Sequence, residues 1–415
     1  RMLKRWLLFP LKSITDIQAR VNVVDFFIKK EDLLNELINV LKDIGDVERM
    51  LAKISTLRIS PRELNKFKES LILSDVLKKC VFKNTQSKNI VNLFDEYHDL
   101  EFLINDLHNH ISSDAPVLLS KGNVINNGVN KELDSYRDLA TSSEKILDDI
   151  KTRESERTGI PSLKISYNNV FGYYLEVRNT HKDKVPAEWI RKQTLVNAER
   201  YITEELKELE VQIISAKDKI QHLESKIYYN LVASIISFIP KVQHNASILS
   251  RMDCLTSFSF ISIQNNYNKP NINESYKIDI KDGRHPVIES QLEHKSDYVP
   301  NDLYLDSSQQ QLIMITGPNM SGKSAILRQT ALIVLMTQIG CFVPASSASI
   351  GVIDKLFTRV GASDNISKGE STFMVEMNET ASILNNLSSR SLILLDEIGR
   401  GTSTFDGVSI AWAIA

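Results

Sequence analysis

The sequence is poor in cysteine and has no long apolar run. Its three cysteines, Cys80, Cys254 and Cys341, are far apart and form no CxxC pair or Cys/His cluster. A disulfide framework or a structural zinc site is therefore not expected. No stretch approaches 18 consecutive apolar residues, so the sequence predicts no transmembrane helix. Together these features favour reduced thiols and a cytoplasmic location.

Net charge is also nearly absent, since 50 basic and 52 acidic residues leave −2 over 415 residues. The molecule as a whole would not attract polyanions, and any surface for nucleic acid has to be local. The length suffices for about two to four domains. The sequence starts RMLKRW, without an initiator methionine or a signal-peptide layout, and ends WAIA inside an apolar helical pattern. We therefore expect a fragment of a longer protein.

The first part of the chain, to about residue 112, predicts amphipathic helices. Apolar residues recur there at steps of three and four, as in Leu33, Leu37 and Leu41. The Gly/Asn-rich stretch 121–134 is predicted to break this array.

Residues 159–178 alternate and are rich in Ile, Val, Tyr and Phe, which predicts a strand pair with the two asparagines at 168–169 as its turn. The segment 151–202 contains ten basic and six acidic residues and has a net charge of +4. It could be a solvated small domain or a patch that contacts phosphates.

From Thr203 onward, apolar residues step alternately by three and four, the heptad pattern of a long helix. Thr203 with the two following glutamates forms a favourable helix start. A helix that ran to Phe238 would measure roughly 50 Å. It could be an arm behind the β tip or a helix buried in a bundle. The polar stretch 264–275 predicts a linker, after which strand-like and helix-like segments alternate as in an α/β domain.

The segment QLIMITGPNMSGKS (311–324) predicts a strand, a phosphate-binding loop and a helix start. Its glycines would let backbone N–H groups face phosphate oxygens at the helix N-terminus. Lys323 would neutralise the β- and γ-phosphates, and Ser324 would offer its hydroxyl to Mg²⁺.

A second motif, LILLDE (392–397), predicts a buried parallel strand that ends in two acids. Asp396 would hold Mg²⁺, and Glu397 would polarise the attacking water. An acid at this second position favours nucleotide hydrolysis over a small-molecule kinase, which takes its nucleophile from the substrate. The Ser/Thr/Gly loops at 368–380 and 399–407 could add donors to phosphate oxygens.

The strings TGPNMSGKS, STFMVEM and DEIGRGTSTFDG together resemble the MutS family of DNA mismatch repair ATPases. GDVERMLAKI, FGYYLEV and GRHPVIE extend the resemblance along the whole chain. It implies an α plus α/β multidomain fold, in which a long helical core/lever bundle carries a small β-rich clamp and precedes an ABC-type P-loop ATPase. The implied segments are a helical core/lever at 1–150, a clamp at 151–202, a returning lever helix at 203–265, and a truncated ATPase at 266–415.

The resemblance implies that one subunit binds ATP through a contiguous loop. The residues of that loop are Gly317, Pro318, Asn319, Met320, Ser321, Gly322, Lys323 and Ser324. Asn319 would also lie near the γ-phosphate and assist Glu397 in hydrolysis, while Ser324 and Asp396 would serve Mg²⁺. Ser371 would reach the γ-phosphate of a partner subunit in trans.

Three further sets of residues are implied by the same resemblance. Residues 403–406 would be the D-loop between two composite sites. Tyr298 and Val299 would pack on the adenine base. Arg284 and His285 are expected to support the domain rather than to contact nucleotide.

For DNA, the resemblance implies a clamp that holds the backbone without reading sequence. Asn168 and Asn197 match clamp positions that contact phosphates, and Lys192 is a plausible addition. Val196 departs from a lysine that is common in the family, which weakens the expected grip. Binding of this kind would depend on salt.

The predicted function is DNA mismatch repair by an ATP-dependent clamp that acts as a homodimer on double-stranded, mismatched DNA with a MutL-type partner. Two alternatives stay open: a MutS homologue that holds branched or recombination DNA, and a small-molecule P-loop kinase. The family's N-terminal mismatch-reading and connector domains, its nucleotide-sensing histidine and its C-terminal dimerisation segment are not found in this sequence.

Overall fold

A computed structural model describes residues 1–85, 87–168, 170, 172–292, 298–318, 321–360, 372–399 and 401–415. The α-helices within these ranges are α1 Met2–Leu8, α2 Ile14–Lys29, α3 Glu31–Asp43, α4 Val47–Ser55, α5 Pro61–Asn84, α6 Lys88–Val91, α7 Glu101–His110, α8 Lys131–Thr158, α9 Glu204–Ile235, α10 Ile239–Gln264, α11 Pro286–Gln291, α12 Lys323–Ile339, α13 Thr372–Asn385 and α14 Thr404–Ile414. The strands are β1 Lys164–Asn168, β2 Gly172–Arg178, β3 Ile190–Thr194, β4 Ala198–Ile202, β5 Asn271–Asn273, β6 Ile278–Gly283, β7 Asn301–Leu305, β8 Ser347–Gly351, β9 Lys355–Arg359 and β10 Ser391–Leu395.

The chain divides into two compact units. The first unit contains Arg1–Asp43, Leu73–Tyr97 and Asn245–Ala415, and the second contains Ile44–Ile72 and His98–His244. The expected mixture of a helical part, a small β-rich part and a segment of alternating strands and helices is confirmed. In the described part of the chain, no helix combines the length and the apolar character needed to cross a membrane.

The second unit contains a four-stranded antiparallel sheet in the order β1-β2-β4-β3. The strand pair predicted within residues 159–178 is confirmed, because β1 and β2 pair antiparallel. The predicted position of the turn is wrong, since Asn168 is the last residue of β1 and pairs with Gly172. Helix α8 continues past residue 150, the expected boundary of the clamp segment, and ends at Thr158, so five residues separate it from the sheet.

Helix α9 begins where the sequence predicts it. The Thr203 hydroxyl accepts a hydrogen bond from the Leu206 N–H at 3.2 Å, which satisfies one of the N–H groups left open at the helix start. The first half of the heptad seam is buried, and Leu206, Leu209 and Ile213 lie in one apolar cluster with residues of α8 and β2. Packing against α8 and β2 therefore stabilises the first turns of α9.

The first unit contains a mixed sheet in the order β5-β8-β6-β7 and a separate parallel pair, β9 and β10. Helix α12 packs against β6 and β10 and buries Ile333 and Val334 completely. At its other end, the Arg20 guanidinium donates to the Ile339 carbonyl at 3.2 Å and lies 3.5 Å from the centre of the Trp6 ring. The C-terminal carbonyls of α12 are thus partnered by a cation, the charge that this helix end favours.

Two expectations for this unit are wrong. The apolar run before the loop, residues 312–316, is in no strand, and Leu312 and Met314 are 59% and 72% exposed. A strand needs a neighbouring strand as hydrogen-bond partner for its N–H and C=O groups. Among the described residues, β9 and β10 pair only with each other and β7 is an edge strand of the larger sheet, so residues 312–316 have no such neighbour. The polar stretch 264–275 is not only a linker, because it contains β5, which buries Ile272 and pairs with β8.

Candidate functional site

The predicted phosphate-binding loop leads directly into α12. Gly322 occupies the position before the helix with φ +91°, a left-handed conformation that side chains with a Cβ rarely adopt. The Lys323 ammonium donates to the carbonyls of Gly317 and Pro318, each at 2.7 Å. A positive charge therefore lies inside the loop at a helix N-terminus, where backbone N–H groups also attract anions. Asn319 and Met320 lie outside the described residues.

Ser324 and Asp396 are 72 residues apart in sequence, and the fold brings them together. The Ser324 hydroxyl donates to the Asp396 carboxylate at 2.5 Å, and both side chains are half-buried. A hydroxyl and a carboxylate oxygen are the ligands that Mg²⁺ prefers, so the pair fits this ion. The described residues contain no cluster of three or more His, Cys, Asp or Glu side chains for a metal. Phosphate and water oxygens would have to complete the shell.

Strand β10 positions the two predicted acids. It runs parallel to β9 as predicted, but buries only one face, since Leu392 and Leu394 are buried while Ile393 is 37% exposed. Asp396 follows the strand, and its N–H donates to the Arg359 carbonyl at 2.8 Å. Glu397 is exposed and adopts φ +52°, which is uncommon for a residue other than glycine.

The sequence analysis missed two buried charged residues behind these acids, Arg359 at the end of β9 and Glu376 on α13. They are 8% and 3% exposed. The Gly399 N–H donates to the Glu376 carboxylate at 2.6 Å, and the Arg359 guanidinium donates to the Asp396 carbonyl at 3.4 Å. A glutamate inside the apolar motif STFMVEM was the available signal, because a carboxylate on a buried helix face needs a partner.

The fold also connects Tyr298 to the helix of the phosphate loop. The Tyr298 hydroxyl donates to the side-chain carbonyl of Gln329 at 2.8 Å, and Gln329 is buried on α12. Burial raises the pKa of Tyr298. Val299 is 77% exposed. The two residues predicted to pack on adenine thus lie next to each other, and the hydrogen bond of Tyr298 joins them to α12.

Arg284 and His285 have the structural roles that we expected. The His285 ring accepts from the N–H groups of Val287 and Ile288, at 3.2 and 3.3 Å, and so caps α11. The Arg284 guanidinium donates to the carbonyls of Asn265 and Asn266 and pairs with the buried Glu289 at 3.1 Å.

The two remaining loops differ in what the structure describes. Ser371 lies outside the described residues, and α13 begins immediately after it at Thr372. Ser403 caps α14: its hydroxyl accepts from the Asp406 N–H at 3.4 Å and donates to the Asp406 carboxylate at 2.7 Å. The predicted D-loop stretch therefore ends in a helix N-terminus.

The structure does not group the predicted DNA contacts at one point. Asn168 is on β1 and pairs with Gly172, the first residue of β2. Asn197 directly precedes Ala198, which pairs with Arg178, the last residue of β2. The two ends of β2 are six residue steps apart, which is roughly 20 Å. The Asn168 side-chain carbonyl accepts from the Val170 N–H at 2.7 Å, and this bond does not use the donors of its amide N–H₂ group.

Lys192 and Asn197 are both exposed, and Lys192 lies at the bulge of β3. Among the described residues, six of the ten basic side chains of segment 151–202 are in ion pairs. Fewer basic side chains are therefore without an acidic partner than the ten that the sequence contains. Val196, the departure from the family's lysine, is 92% exposed in the turn between β3 and β4.

Comparison with known proteins assigns these regions. Residues 313–415, which contain the phosphate loop, Asp396 and Glu397, match the family model MutS domain V. Residues 128–219, which contain α8, the sheet of β1 to β4 and the start of α9, match MutS family domain IV. The chain carries MutS domains IV and V. The resemblance predicted from the sequence motifs is confirmed.

The similarity to MutS proteins extends over the whole chain. It is 58% identical over 415 residues to the DNA mismatch repair protein MutS of Flavobacterium psychrophilum and 58% identical over 416 residues to that of Christiangramia forsetii. It is 55% identical over 414 residues to that of Parabacteroides distasonis. Each comparison covers 100% of this chain and 48% of the relative, so the chain spans about half the length of the curated relatives it matches.

Proposed function

We propose that this chain supplies the ATPase and the DNA clamp of a mismatch repair protein that hydrolyses ATP to ADP and phosphate. One observation carries the nucleotide part of the proposal: the contact between Ser324 and Asp396 beside the ammonium of Lys323. A hydroxyl, a carboxylate and a cation thus meet at a helix N-terminus, which is the set of groups that binds a nucleoside triphosphate with Mg²⁺.

The residues of the loop would bind and orient the phosphates. Lys323 would exchange one of its contacts with the Gly317 and Pro318 carbonyls for phosphate oxygens, and the N–H groups from Ser321 to Ser324 would approach the same oxygens. Asn319 would lie near the γ-phosphate, and Tyr298 with Val299 would cover the adenine. Mg²⁺ held by Ser324 and Asp396 would offset negative charge on the phosphates.

Glu397 would act as the general base. Its carboxylate is exposed and immediately follows Asp396, so it can accept a proton from a water molecule that attacks the γ-phosphate. This arrangement favours hydrolysis over the kinase alternative. In a kinase, the acceptor would be a hydroxyl of a second substrate.

A complete site would need a second copy of the chain. Ser371, just before α13, would reach the γ-phosphate bound by the partner subunit, so two subunits would form composite sites in a homodimer. Each subunit would then contribute its loop to one site and its serine to the other.

The clamp would hold double-stranded DNA through phosphates. Lys192 and Asn197 are exposed, and Asn168, at the other end of the sheet, has amide donors that its bond to Val170 does not use. Contacts at both ends suit a duplex backbone more than a single phosphate. The relatives are named DNA mismatch repair proteins, which supports mismatched DNA over branched DNA as the substrate. The partner would be a MutL-type protein.

Two measurements test the proposal. Phosphate released from ATP would be followed with no DNA, with a mismatched duplex and with a four-way junction, while small molecules are checked for transferred phosphate. We expect the phosphate to be transferred to water, and we expect the mismatched duplex to change the rate of release at least as much as the four-way junction does. Phosphate transfer to a small molecule would favour a kinase, and a response to the junction alone would favour the branched-DNA homologue.

The DNA contacts are tested by fluorescence anisotropy across salt concentrations. Lys192→Ala should weaken binding to all duplexes alike. It should also reduce the slope of the logarithm of the binding constant against the logarithm of the salt concentration by about one. Lys42→Ala, which removes an exposed lysine from the first unit, is the matched control and should change neither.

A further inference from the structure

Two charged side chains are buried behind the loop that carries Glu397, and the chemistry proposed above uses neither. Glu376 on α13 is 3% exposed, and Arg359 at the end of β9 is 8% exposed. Burying a carboxylate and a guanidinium is costly unless both are paired and hydrogen-bonded. Their contacts therefore indicate what the pair holds in place.

Those contacts lie on both sides of Glu397. The Glu376 carboxylate accepts from the Gly399 N–H at 2.6 Å, two residues after Glu397. The Arg359 guanidinium donates to the Asp396 carbonyl at 3.4 Å, one residue before it, and lies 3.9 Å from the second Glu376 oxygen. The backbone on both sides of Glu397 is thus attached to two buried charges that face each other.

The backbone between these contacts is in conformations that need support. Glu397 has φ +52°, and Gly399 has φ +80°. A Cβ on Gly399 would lie 2.6 Å from the Gly407 carbonyl oxygen, so the glycine packs closely against α14. Residues held in sparsely populated conformations persist only where the surrounding structure fixes them. Among the described residues, Glu376 is the side chain that bonds to the Gly399 amide.

We propose that Glu376 is a positioning residue for hydrolysis, which fixes the orientation of Glu397 by holding the Gly399 amide. The inference rests on the proposed ATPase function, in which Glu397 accepts a proton from the attacking water. Glu376 would act on the direction of that carboxylate and not on the nucleotide, since the contacts of its carboxylate in the described part of the chain are with Gly399 and Arg359.

The variants follow from these contacts. Glu376→Met keeps the length and the apolar stem of the side chain but removes the acceptor of the Gly399 N–H. Glu376→Gln keeps an acceptor oxygen and removes the charge. Glu379→Gln is the matched control, because Glu379 also pairs with Arg359, at 3.6 Å, from the next turn of α13 but is half-exposed and does not hold the loop.

The assay is ATP turnover with Mg²⁺, with kcat and KM measured separately. We expect Glu376→Met to lower kcat by about 10- to 100-fold while KM changes by less than about threefold, because misplacing a reacting group by about 1 Å can cost a factor of this order. Glu376→Gln should recover most of kcat, and Glu379→Gln should resemble the unmodified protein. A role in folding alone would not separate kcat from KM in this way.

Amide hydrogen exchange at Gly399 provides a second test that needs no variant. The bond to Glu376 predicts protection of this N–H in the unmodified protein and, if Glu376→Met folds, its loss there. Exchange at the rate of a free peptide in the unmodified protein would overturn the inference even if Glu376→Met did not fold. An unchanged kcat in Glu376→Met would overturn it as well.

The two proposals fail in different ways. If the unmodified protein and Glu397→Gln released phosphate at the same rate, the proposed function would be wrong whatever the effect of Glu376. If Glu397→Gln abolished release but Glu376→Met had the kcat of Glu379→Gln, only the positioning role would be wrong.

Discussion

Removing the ammonium of Lys323 should weaken ATP binding by a factor that the contacts of this residue determine. At about 4 Å and an effective dielectric constant of about 20, a phosphate charge would attract the ammonium by about 4 kcal/mol. The ammonium donates to two carbonyls, at 2.7 Å each. Giving up one of these charged hydrogen bonds costs about 1.5 kcal/mol, so the net gain on binding is about 2–3 kcal/mol.

Lys323→Ala should therefore raise the Kd for ATP by about 30- to 150-fold. The measurement is titration with a fluorescent ATP analogue in the presence of Mg²⁺. Lys355→Ala is the control, because the Lys355 ammonium donates to the Asn386 carbonyl, also at 2.7 Å, in the same compact unit but outside the loop. A change of less than about threefold for Lys323→Ala, or an equal change for Lys355→Ala, would refute the assignment of the loop.

Three further predictions concern stability and assembly. Hydrogen bonding from Lys53 lowers the pKa of Glu63 below its ordinary 4.5. The stability that the Glu63 carboxylate contributes is therefore present above pH 4.5 and is lost as the pH falls through the lowered pKa. Urea unfolding should show that Glu63→Gln is less stable than the unmodified protein at about pH 7 but not at low pH. Leu175→Ala, at a fully buried position where β2 packs against α8 and α9, should lower the free energy of unfolding by about 2–5 kcal/mol in the same assay and leave the Kd for ATP unchanged. Mixing Lys323→Ala with Ser371→Ala chains should restore part of the phosphate release that each lacks alone, because one composite site of the mixed dimer would be intact; no recovery would contradict action in trans.

Features of the fold that depend on nearby residues were predictable from the sequence. The cap at Thr203, the pairing of β1 with β2 and the helix that follows Gly322 each depend on residues within a few positions. Their signals are strong because the hydrogen bonds that form them are local.

Features that depend on distant partners were not. The apolar run at 312–316 has the composition of a strand, but the described residues place no strand beside it. Conversely, β5 forms in a polar stretch because Ile272 is buried and β8 provides its hydrogen-bond partner. Composition describes a segment's preference, and pairing depends on what the rest of the chain brings alongside.

The candidate site divides in the same way. The roles of Lys323, Ser324, Asp396 and Glu397 could be proposed from spacing, because each is defined by one motif. The contact between Ser324 and Asp396 joins two motifs and required the fold. The hydrogen bond from Gly399 to Glu376 could not have been predicted, since it connects a helix residue to a loop amide 23 positions away.

Phosphate release by Glu397→Gln at saturating ATP tests the central claim most directly. The substitution keeps the size of the side chain and removes its ability to accept a proton. If the chain is an ATPase that uses this residue as its general base, release should fall by about 100-fold or more while the Kd for ATP stays within about threefold. Release that continues at the rate of the unmodified protein, with ATP bound equally well, would contradict the account.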